Sequence, residues 1–203
     1  GVLTIAGTSS FTTSVSNAVI TLDSANAFTG AVTINTTGSS GNATIDNGTT
    51  AFNVAASSVG GNLTLTSGNS ITDSGTLTVG GNLAAITDAN SGLINLGTLA
   101  VDGTVALTTN GSGNATAVND AGLTFAASTV GGNLAATATT GNMTDSGALT
   151  ITGTSSFTTS ANNATIALDT TTNAFTGAVT ITTNDDSGTD ADVTIDGGTT
   201  ALI

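Results

Sequence analysis

The sequence predicts an all-β fold, a parallel β-helix (β-solenoid) in which coils of three short strands stack on one another. Three observations lead to this prediction: phrases that recur at a regular spacing, segments in which apolar and small polar residues alternate, and the complete absence of proline. Recurrence over tens of residues is typical of repeat architectures, in which each unit buries its apolar face against its neighbours. The lack of proline suits strands that are hydrogen-bonded on both sides.

Recurrence is the strongest of the three signals. The segment LTIAGTSSFTTS at 3–14 returns at 149–160 as LTITGTSSFTTS, with a single change. VGGNL occurs at 59–63, 79–83 and 130–134. Together with other repeated phrases, these spacings define a module of roughly 71–77 residues, so that the two copies of the first segment lie two modules apart.

The whole chain, residues 1–203, is predicted to be a single continuous repeat region that holds a little under three modules. It begins and ends inside a module, because TTALI at the C-terminus corresponds to TTAFN at 49–53. We therefore expect the chain to be a segment of a longer array of such modules.

Each module divides into coils. Residues 62–81 contain NLTLT, ITD and TLTV, separated by turns of Ser, Gly and Asn. Alternation with period 2 and an abundance of Thr, Val and Ile are strand signals. About eight such coils, about 4.8 Å apart, would form a rod roughly 40 Å long. A tandem array of small β-sandwiches is the main rival, and it fits poorly because the segments are too short and too many.

The alternation also assigns side chains to the inside and the outside of the solenoid. The predicted interior pairs are Leu3/Ile5, Val32/Ile34, Leu63/Leu65, Leu77/Val79, Leu99/Val101, Leu149/Ile151 and Val179/Ile181. The threonines between them, Thr4, Thr33, Thr64, Thr78, Thr150 and Thr180, are predicted to face solvent. The phenylalanines Phe11, Phe28, Phe52, Phe125, Phe157 and Phe175 are predicted to fill the core or its corners.

Composition excludes many functions. The chain contains no Lys, Arg, His, Cys, Trp, Tyr or Glu, and its 13 acidic residues are all Asp, so its formal net charge is −13. Without cations, nucleic-acid binding and attraction to anionic membranes are not expected. Without His or Cys there is no usual transition-metal site, nucleophile pair or disulfide. No apolar run is long enough to span a membrane. We therefore expect a protein that is not an enzyme and is not inserted in a membrane.

Two phrases carry a resemblance to a known family: STVGGNLAATATTGNMTDSGALTITGTSSFTT at 128–159 and NAFTGAVTI at 173–181. They resemble the repeat arrays of very large bacterial surface proteins, the filamentous-haemagglutinin-like adhesins and related β-strand-repeat exoproteins, and the resemblance covers essentially the whole chain. It implies a parallel β-helix in a secreted, extracellular or cell-surface fibre.

We therefore expect a structural role, as an adhesin stalk or as part of an extracellular or biofilm matrix. The expected partner is the solenoid itself, through end-to-end stacking of coils or through continuation of the same chain, because exposed strand edges recruit other strands. Host or matrix glycans are the other candidate partner.

Two alternatives stay open. A β-helix can bind or degrade polysaccharides, for which a pair of carboxylates would be needed. A solenoid with flat rows of outward threonines can bind ice, although Ala84, Ala100 and Ala106 interrupt those rows here.

The aspartates are the only candidate site residues. We predict that the turn after the second strand of each coil carries a stacked row of carboxylates: Asp23, Asp46, Asp73, Asp120, Asp145, Asp169 and Asp196. The densest acidic loop, NDDSGTDAD at 184–192, holds Asp185, Asp186, Asp190 and Asp192. Both sets have oxygen ligands suited to Ca²⁺, the one cofactor we consider. The competing interpretation is that Asp serves as a turn residue in the row and as part of a solvated loop at 184–192.

Overall fold

The computed structural model of the chain describes residues 1–186 and 190–203, and every regular element in this part is a β-strand. The strands are β1 (Thr4–Ile5), β2 (Ser9–Thr12), β3 (Ile20–Leu22), β4 (Ala27–Phe28), β5 (Val32–Asn35), β6 (Ala43–Asp46), β7 (Phe52–Val54), β8 (Ser57–Val59), β9 (Leu63–Ser67), β10 (Ile71–Asp73), β11 (Leu77–Val79), β12 (Leu83–Thr87), β13 (Ile94–Val101), β14 (Thr104–Thr108), β15 (Ala115–Asn119), β16 (Leu123–Phe125), β17 (Ser128–Val130), β18 (Leu134–Ala138), β19 (Met143–Asp145), β20 (Leu149–Ile151), β21 (Ser155–Asn162), β22 (Ile166–Leu168), β23 (Ala174–Phe175), β24 (Val179–Asn184) and β25 (Val193–Ile195). These residues include no helix that is long and apolar enough to cross a membrane.

The strands pair in parallel and form two walls. The first wall is a twelve-stranded sheet, in which β3, β6, β9, β12, β14, β16, β19, β22 and β25 stack in this order and β17, β20 and β23 lie beside them. The second wall is an eleven-stranded sheet of β2, β5, β7, β8, β10, β11, β13, β15, β18, β21 and β24, while β1 and β4 form a separate pair. Leu63 lies between Ala43 and Leu83, its register partners in the coils before and after it. The predicted parallel β-solenoid is confirmed, with nine stacked strands and hence about nine turns.

Coils have either two or three strands. In one coil, β10 and β11 of the second wall are separated by a turn at Ser74 and Gly75. In the next coil a single strand, β13, runs through the same position with only Gly97 and Thr98 between two buried leucines. The register against β15 shifts at this point. This coil therefore has one strand where the coil before it has two, because no turn interrupts β13.

The core lies between the two walls. Of the predicted interior pairs, Val32/Ile34, Leu63/Leu65, Leu77/Val79, Leu99/Val101 and Leu149/Ile151 are buried, while Leu3/Ile5 and Val179/Ile181 are partly buried at the two ends of the stack. Phe157 of the second wall packs against Phe125 and Phe175 of the first wall, with ring centroids 6.5 and 5.7 Å apart. Five phenylalanines are buried, and Phe11 is partly buried. Thr4, Thr78, Thr150 and Thr180 are exposed as predicted, whereas Thr33 and Thr64 are half-buried.

The sequence module and the structural coil have different lengths. Seven steps along the first wall lead from β3 to β22, and the residues that begin these strands, Ile20 and Ile166, lie two modules apart in the sequence. One module therefore spans three and a half coils. Equivalent residues of successive modules consequently lie on opposite walls: Leu63 begins β9 in the first wall, and Leu134, its equivalent one module later, begins β18 in the second wall.

Candidate functional sites at the corners of the solenoid

The seven turn aspartates do not form a single row, which corrects the stacking that the sequence predicted. Asp73 ends β10 in the second wall with Val54 as its register partner, and Asp145 ends β19 in the first wall with Phe125 as its partner. Asp120 follows β15 of the second wall, while Asp23, Asp46, Asp169 and Asp196 belong to the first wall. The cause is the half-integral module, which moves equivalent turns to the opposite wall.

Shorter acidic sets remain on the first wall. Leu22 pairs with Ile45, which brings the turns of Asp23 and Asp46 to neighbouring coils. In the same way, Leu168 pairs with Ile195, next to Asp169 and Asp196. Among residues 1–186 and 190–203, no three acidic side chains come together as a group that could hold a metal ion. Ca²⁺ binding stays a prediction.

Asp73 connects two successive coils through its carboxylate. Its Oδ1 accepts a hydrogen bond from the backbone N–H of Gly97 at 3.0 Å. Its Oδ2 accepts from the backbone N–H and the hydroxyl of Thr98 at 2.7 and 2.8 Å. The carboxylate thus satisfies backbone donors at the point where β13 passes the missing turn.

Asp145 makes the equivalent connection on the other wall. Its Oδ1 accepts from the backbone N–H groups of Asp169 and Thr170 at 3.2 and 3.4 Å. Its Oδ2 accepts from the side-chain amide of Asn173 at 2.7 Å. Both Asp73 and Asp145 therefore bond two successive backbone N–H groups of the following coil.

Two other aspartates close their own turns. The Oδ1 of Asp46 accepts from the N–H of Gly48 at 2.7 Å, and the Oδ1 of Asp196 accepts from the N–H of Gly198 at 2.7 Å. A side chain that bonds the backbone two residues on is the Asx-turn, for which Asp is a favoured residue. The turn interpretation of these two aspartates is therefore confirmed.

The acidic loop at 184–192 is described only in part, because residues 187–189 lie outside the described residues. Asp186 accepts hydrogen bonds from the side-chain amides of Asn162 and Asn163 at 3.1 and 3.0 Å. Its own backbone N–H donates to Asn163 Oδ1 at 3.2 Å. Asp185, Asp190 and Asp192 are exposed. The structure brings Asp186 to asparagine amides of the previous coil.

The recurring Gly-Asn corner forms a ladder that the sequence analysis missed. Asn42 Oδ1 accepts from the N–H of Asn62, and Asn62 Oδ1 from the N–H of Asn82, each at 2.8 Å. Asn82 Oδ1 then accepts from the N–H of Thr104 at 2.9 Å, where the ladder ends. The available signal was the fixed place of Asn directly before each of these strands.

A second ladder runs along the other corner. Asn114 Oδ1 accepts from the N–H of Asn133 at 2.8 Å, and Asn133 Oδ1 accepts from the N–H of Thr154 at 2.9 Å. The same motif, VGGNL, precedes β9 in the first wall and β18 in the second wall. One sequence motif therefore builds both corners.

The glycine before each ladder asparagine is required by space. A Cβ placed on Gly81 would overlap Asn62 Oδ1 and would lie 2.9 Å from the backbone carbon of Gly61. The N–H of Gly81 also donates to the carbonyl of Gly61 at 3.0 Å. The backbone of one coil therefore lies directly on that of the next, and only glycine fits.

Four further asparagines point into the core: Asn26, Asn47, Asn119 and Asn173. Asn26 Oδ1 accepts from the N–H of Leu3 at 2.8 Å, and Asn173 Oδ1 accepts from the N–H of Leu149 at 2.7 Å. Leu3 and Leu149 are equivalent residues two modules apart. These buried side-chain amides provide hydrogen-bond partners for backbone groups at the corners, where no neighbouring strand provides one.

The outward threonine rows are interrupted where the sequence places alanine. The register aligns Thr64 with Ala84 and Ala84 with Ala106 in the first wall. An unbroken row joins Thr108, Thr129 and Thr150. Regular threonine arrays thus extend over three coils.

A groove of about 270 Å³ lies where the second wall loses its turn. It is lined by Thr76, Gly97, Thr98, Leu99, Val118, Asp120 and Thr139. The groove exists because β13 lacks the side chain and the turn that fill this place in the coil before it. It offers hydroxyls, one carboxylate and an aliphatic floor.

Comparison with known proteins identifies the repeats. A family model described as "Repeats of unknown function (DUF5649)" matches residues 1–35, 40–93 and 112–182. The second and third matches begin one module apart, so the family model follows the same repeat as the recurring phrases. No curated protein and no solved structure matches the chain significantly. A repeat protein is thereby established, and the likeness to adhesins stays a prediction.

Proposed function

The chain belongs to the family of repeats described as DUF5649, and from its solenoid we propose that it is a structural segment of a secreted or cell-surface bacterial fibre, acting as an adhesin stalk or in an extracellular matrix. The observation that carries the proposal is the uninterrupted stacking of coils from β1 to β25 along one axis. Nine stacked strands, about 4.8 Å apart, make this a rod about 40 Å long.

The polar side chains that could act in catalysis or ligand binding instead hold neighbouring coils of the solenoid together. Asp73 and Asp145 bond the backbone of the following coil. The ladder asparagines and the buried asparagines bond backbone groups of neighbouring coils. A chain whose polar groups hold its own coils together is suited to a spacer.

Composition supports exposure outside the cell. The chain has no Lys and no Arg, so proteases that cleave after these residues find no site in it. It also has no Cys, so oxidation cannot cross-link it through thiols. A net charge of −13 favours solubility and opposes association of such rods side by side.

The proposed partner is the solenoid itself, through end-to-end stacking of coils or through continuation of the same chain. Leu3, Ile5 and Phe11 at one end and Val179, Ile181 and Ile195 at the other are only partly buried, because each is covered from one side. Unpaired strand edges of this kind recruit further strands. Host or matrix glycans are proposed only as a secondary partner.

Location on intact cells tests the proposal. Antibodies raised against the folded segment should label intact cells of the producing bacterium, or material released by them, as strongly as permeabilised cells. A cytoplasmic marker serves as the control and should be labelled only after permeabilisation. Labelling of the segment only after permeabilisation would contradict an extracellular fibre. Thermal hysteresis, or tight binding of the purified segment to a glycan, would instead favour the ice-binding or carbohydrate-binding alternative.

A further inference from the structure

The chain contains two Asn-Gly dipeptides, Asn47–Gly48 and Asn110–Gly111, in opposite environments. Asn-Gly is the sequence most prone to spontaneous loss of the side-chain amide, because a glycine nitrogen meets no Cβ when it approaches the asparagine side chain. Whether the reaction occurs in a folded protein depends on whether the side chain is free to move. The two dipeptides therefore form an internal comparison.

Asn47 is held in place. Its side chain is fully buried. Its Nδ2 donates to the carbonyls of Phe28, Thr50 and Ala51 at 3.1, 3.1 and 3.0 Å. Its Oδ1 accepts from the N–H of Phe28 at 2.7 Å. Attack on this amide requires that the corner first open and all four bonds break.

Asn110 lies at the other extreme. It is exposed, in the turn between β14 and β15, where the N–H of Gly113 donates to the carbonyl of Asn110 at 3.2 Å. Gly111 has a φ of 56°, which suits glycine. The backbone N–H of Asn110 donates weakly to Thr87 Oγ1 at 3.4 Å. Among the described residues, its side-chain amide has no hydrogen-bond partner.

We propose that Asn110 is a site of spontaneous deamidation in the folded protein, and that Asn47 is protected by the fold. The backbone nitrogen of Gly111 loses its proton and attacks Cγ of Asn110. The bond from Cγ to Nδ2 breaks, Nδ2 takes up a proton and leaves as ammonia, and a five-membered imide remains. Water then opens the imide at either carbonyl and gives aspartate or isoaspartate. Each event adds one negative charge, from −13 to −14.

The position gives the reaction a structural consequence. A Cβ built on Gly131, one coil further along, would overlap the carbonyl oxygen of Gly111, so the two backbones are in close contact. Isoaspartate lengthens the backbone by one atom at residue 110, next to this contact. In a fibre that is not replaced, modified turns accumulate with time and mark the age of the folded chain.

The test is incubation of the folded chain at neutral pH, followed by digestion and mass spectrometry of the two Asn-Gly peptides. We expect Asn110 to convert and Asn47 to convert at least about a hundredfold more slowly, because Asn47 reacts only from an opened state. In denaturant the two sites should convert at similar rates. Hydroxylamine, which cleaves the imide, should cut the folded chain after residue 110 and the denatured chain after both asparagines.

Asn110→Ser is the matched variant, because its hydroxymethyl side chain has no amide and serine is common in turns. This variant should fold as the parent does and should lose only the conversion at residue 110. The proposal is overturned if Asn110 keeps its amide in the folded chain while the denatured chain converts. It is equally overturned if Asn47 converts as fast as Asn110 in the folded chain.

Discussion

Asn47 and Asn119 lie one module apart, on opposite walls of the solenoid, and their side chains bond the backbone in the same way. Asn47 exchanges two hydrogen bonds with Phe28, at 2.7 and 3.1 Å, and Asn119 exchanges two with Val101, at 2.9 and 3.1 Å. The same position of the repeated module therefore makes the same pair of backbone hydrogen bonds in each wall. This equivalence follows from a module of three and a half coils.

Replacement of either buried asparagine should destabilise the solenoid to a similar extent. Asn47→Ala and Asn119→Ala each remove the side-chain partner from the N–H and the C=O of one buried residue, Phe28 or Val101. The other carbonyls that these amides contact belong to turn residues that are not fully buried. Each unsatisfied group costs about 1–3 kcal/mol, so we expect a loss of about 3 kcal/mol in the free energy of unfolding. Urea unfolding measures the change.

Asn95→Ala is the control for these variants, because Asn95 is exposed on the outside of β13. It should change stability by less than about 0.5 kcal/mol. If Asn95→Ala costs as much as the two core variants, the buried amides do not have the role that their hydrogen bonds indicate.

The stacked glycines give a second prediction. Gly81→Ala should destabilise the protein by about 1–3 kcal/mol, because the new Cβ overlaps Asn62 Oδ1 and forces two coils apart. Gly97→Ala should be neutral or stabilising by about 0.5 kcal/mol, because its Cβ would meet no atom closer than 4.0 Å and alanine restricts the unfolded chain. Thermal melting of the two variants side by side is the measurement. Equal effects would contradict the close backbone stacking at the Gly-Asn corner.

The aspartates that join coils give a third prediction. Asp73→Asn and Asp145→Asn each replace a charged acceptor by an amide whose NH₂ group must face a donor. At residue 73 this donor is a backbone N–H on either side, and at residue 145 it is the Asn173 side-chain amide or the backbone N–H groups of Asp169 and Thr170. Hydrogen bonds to charged groups contribute about 1.5–3 kcal/mol, so both variants should lose stability in this range and by similar amounts. Asp88→Asn is the control, because Asp88 is exposed. A loss at Asp73 without one at Asp145 would show that the two walls are not equivalent.

The calcium prediction is tested with the same variants. If these carboxylates also recruit Ca²⁺, a chelator should lower the melting temperature of the parent chain. Asp73→Asn and Asp145→Asn should weaken that dependence, and Asp88→Asn should leave it unchanged. If melting is indifferent to both Ca²⁺ and chelator, the carboxylates act through hydrogen bonds alone.

The fold was predictable because alternation is a local signal. Each inward side chain, for example Leu63 or Leu77, is marked by its polar neighbours on both sides. The same signal placed the interruptions of the outward rows at Ala84 and Ala106, and the register aligns both with Thr64.

The row of aspartates was predicted wrongly because stacking is not local. It depends on how many residues each coil takes, and this number varies: the coil from Phe52 to Ile71 is much shorter than the coil from Ile166 to Val193. Equal phrases at Asp73 and Asp145 suggested equal positions. Because one module spans three and a half coils, these two equivalent residues are half a coil out of step and lie on opposite walls.

Deletion of one module tests this geometry directly. Removal of residues 63–133 joins Asn62 to Leu134 and preserves VGGNL at the junction. In the shortened chain β18 should take the place of β9 over β6, and β19 the place of β10 over β7, because both pairs carry the same inward pattern. Everything after the junction then moves to the opposite wall.

We expect the shortened chain to melt cooperatively and to form a rod shorter by about 17 Å, which is three and a half coils of about 4.8 Å each. Small-angle X-ray scattering gives the length, and circular dichroism gives the melting curve. The control deletion, residues 63–123, joins Asn62 to Thr124 and leaves the chain out of phase with both walls, so inward residues no longer meet the core. This control should unfold or aggregate. If the module deletion unfolds or aggregates as the control does, the two walls are not interchangeable. If the control folds as well as the module deletion, the three-and-a-half-coil module has no part in how the chain folds.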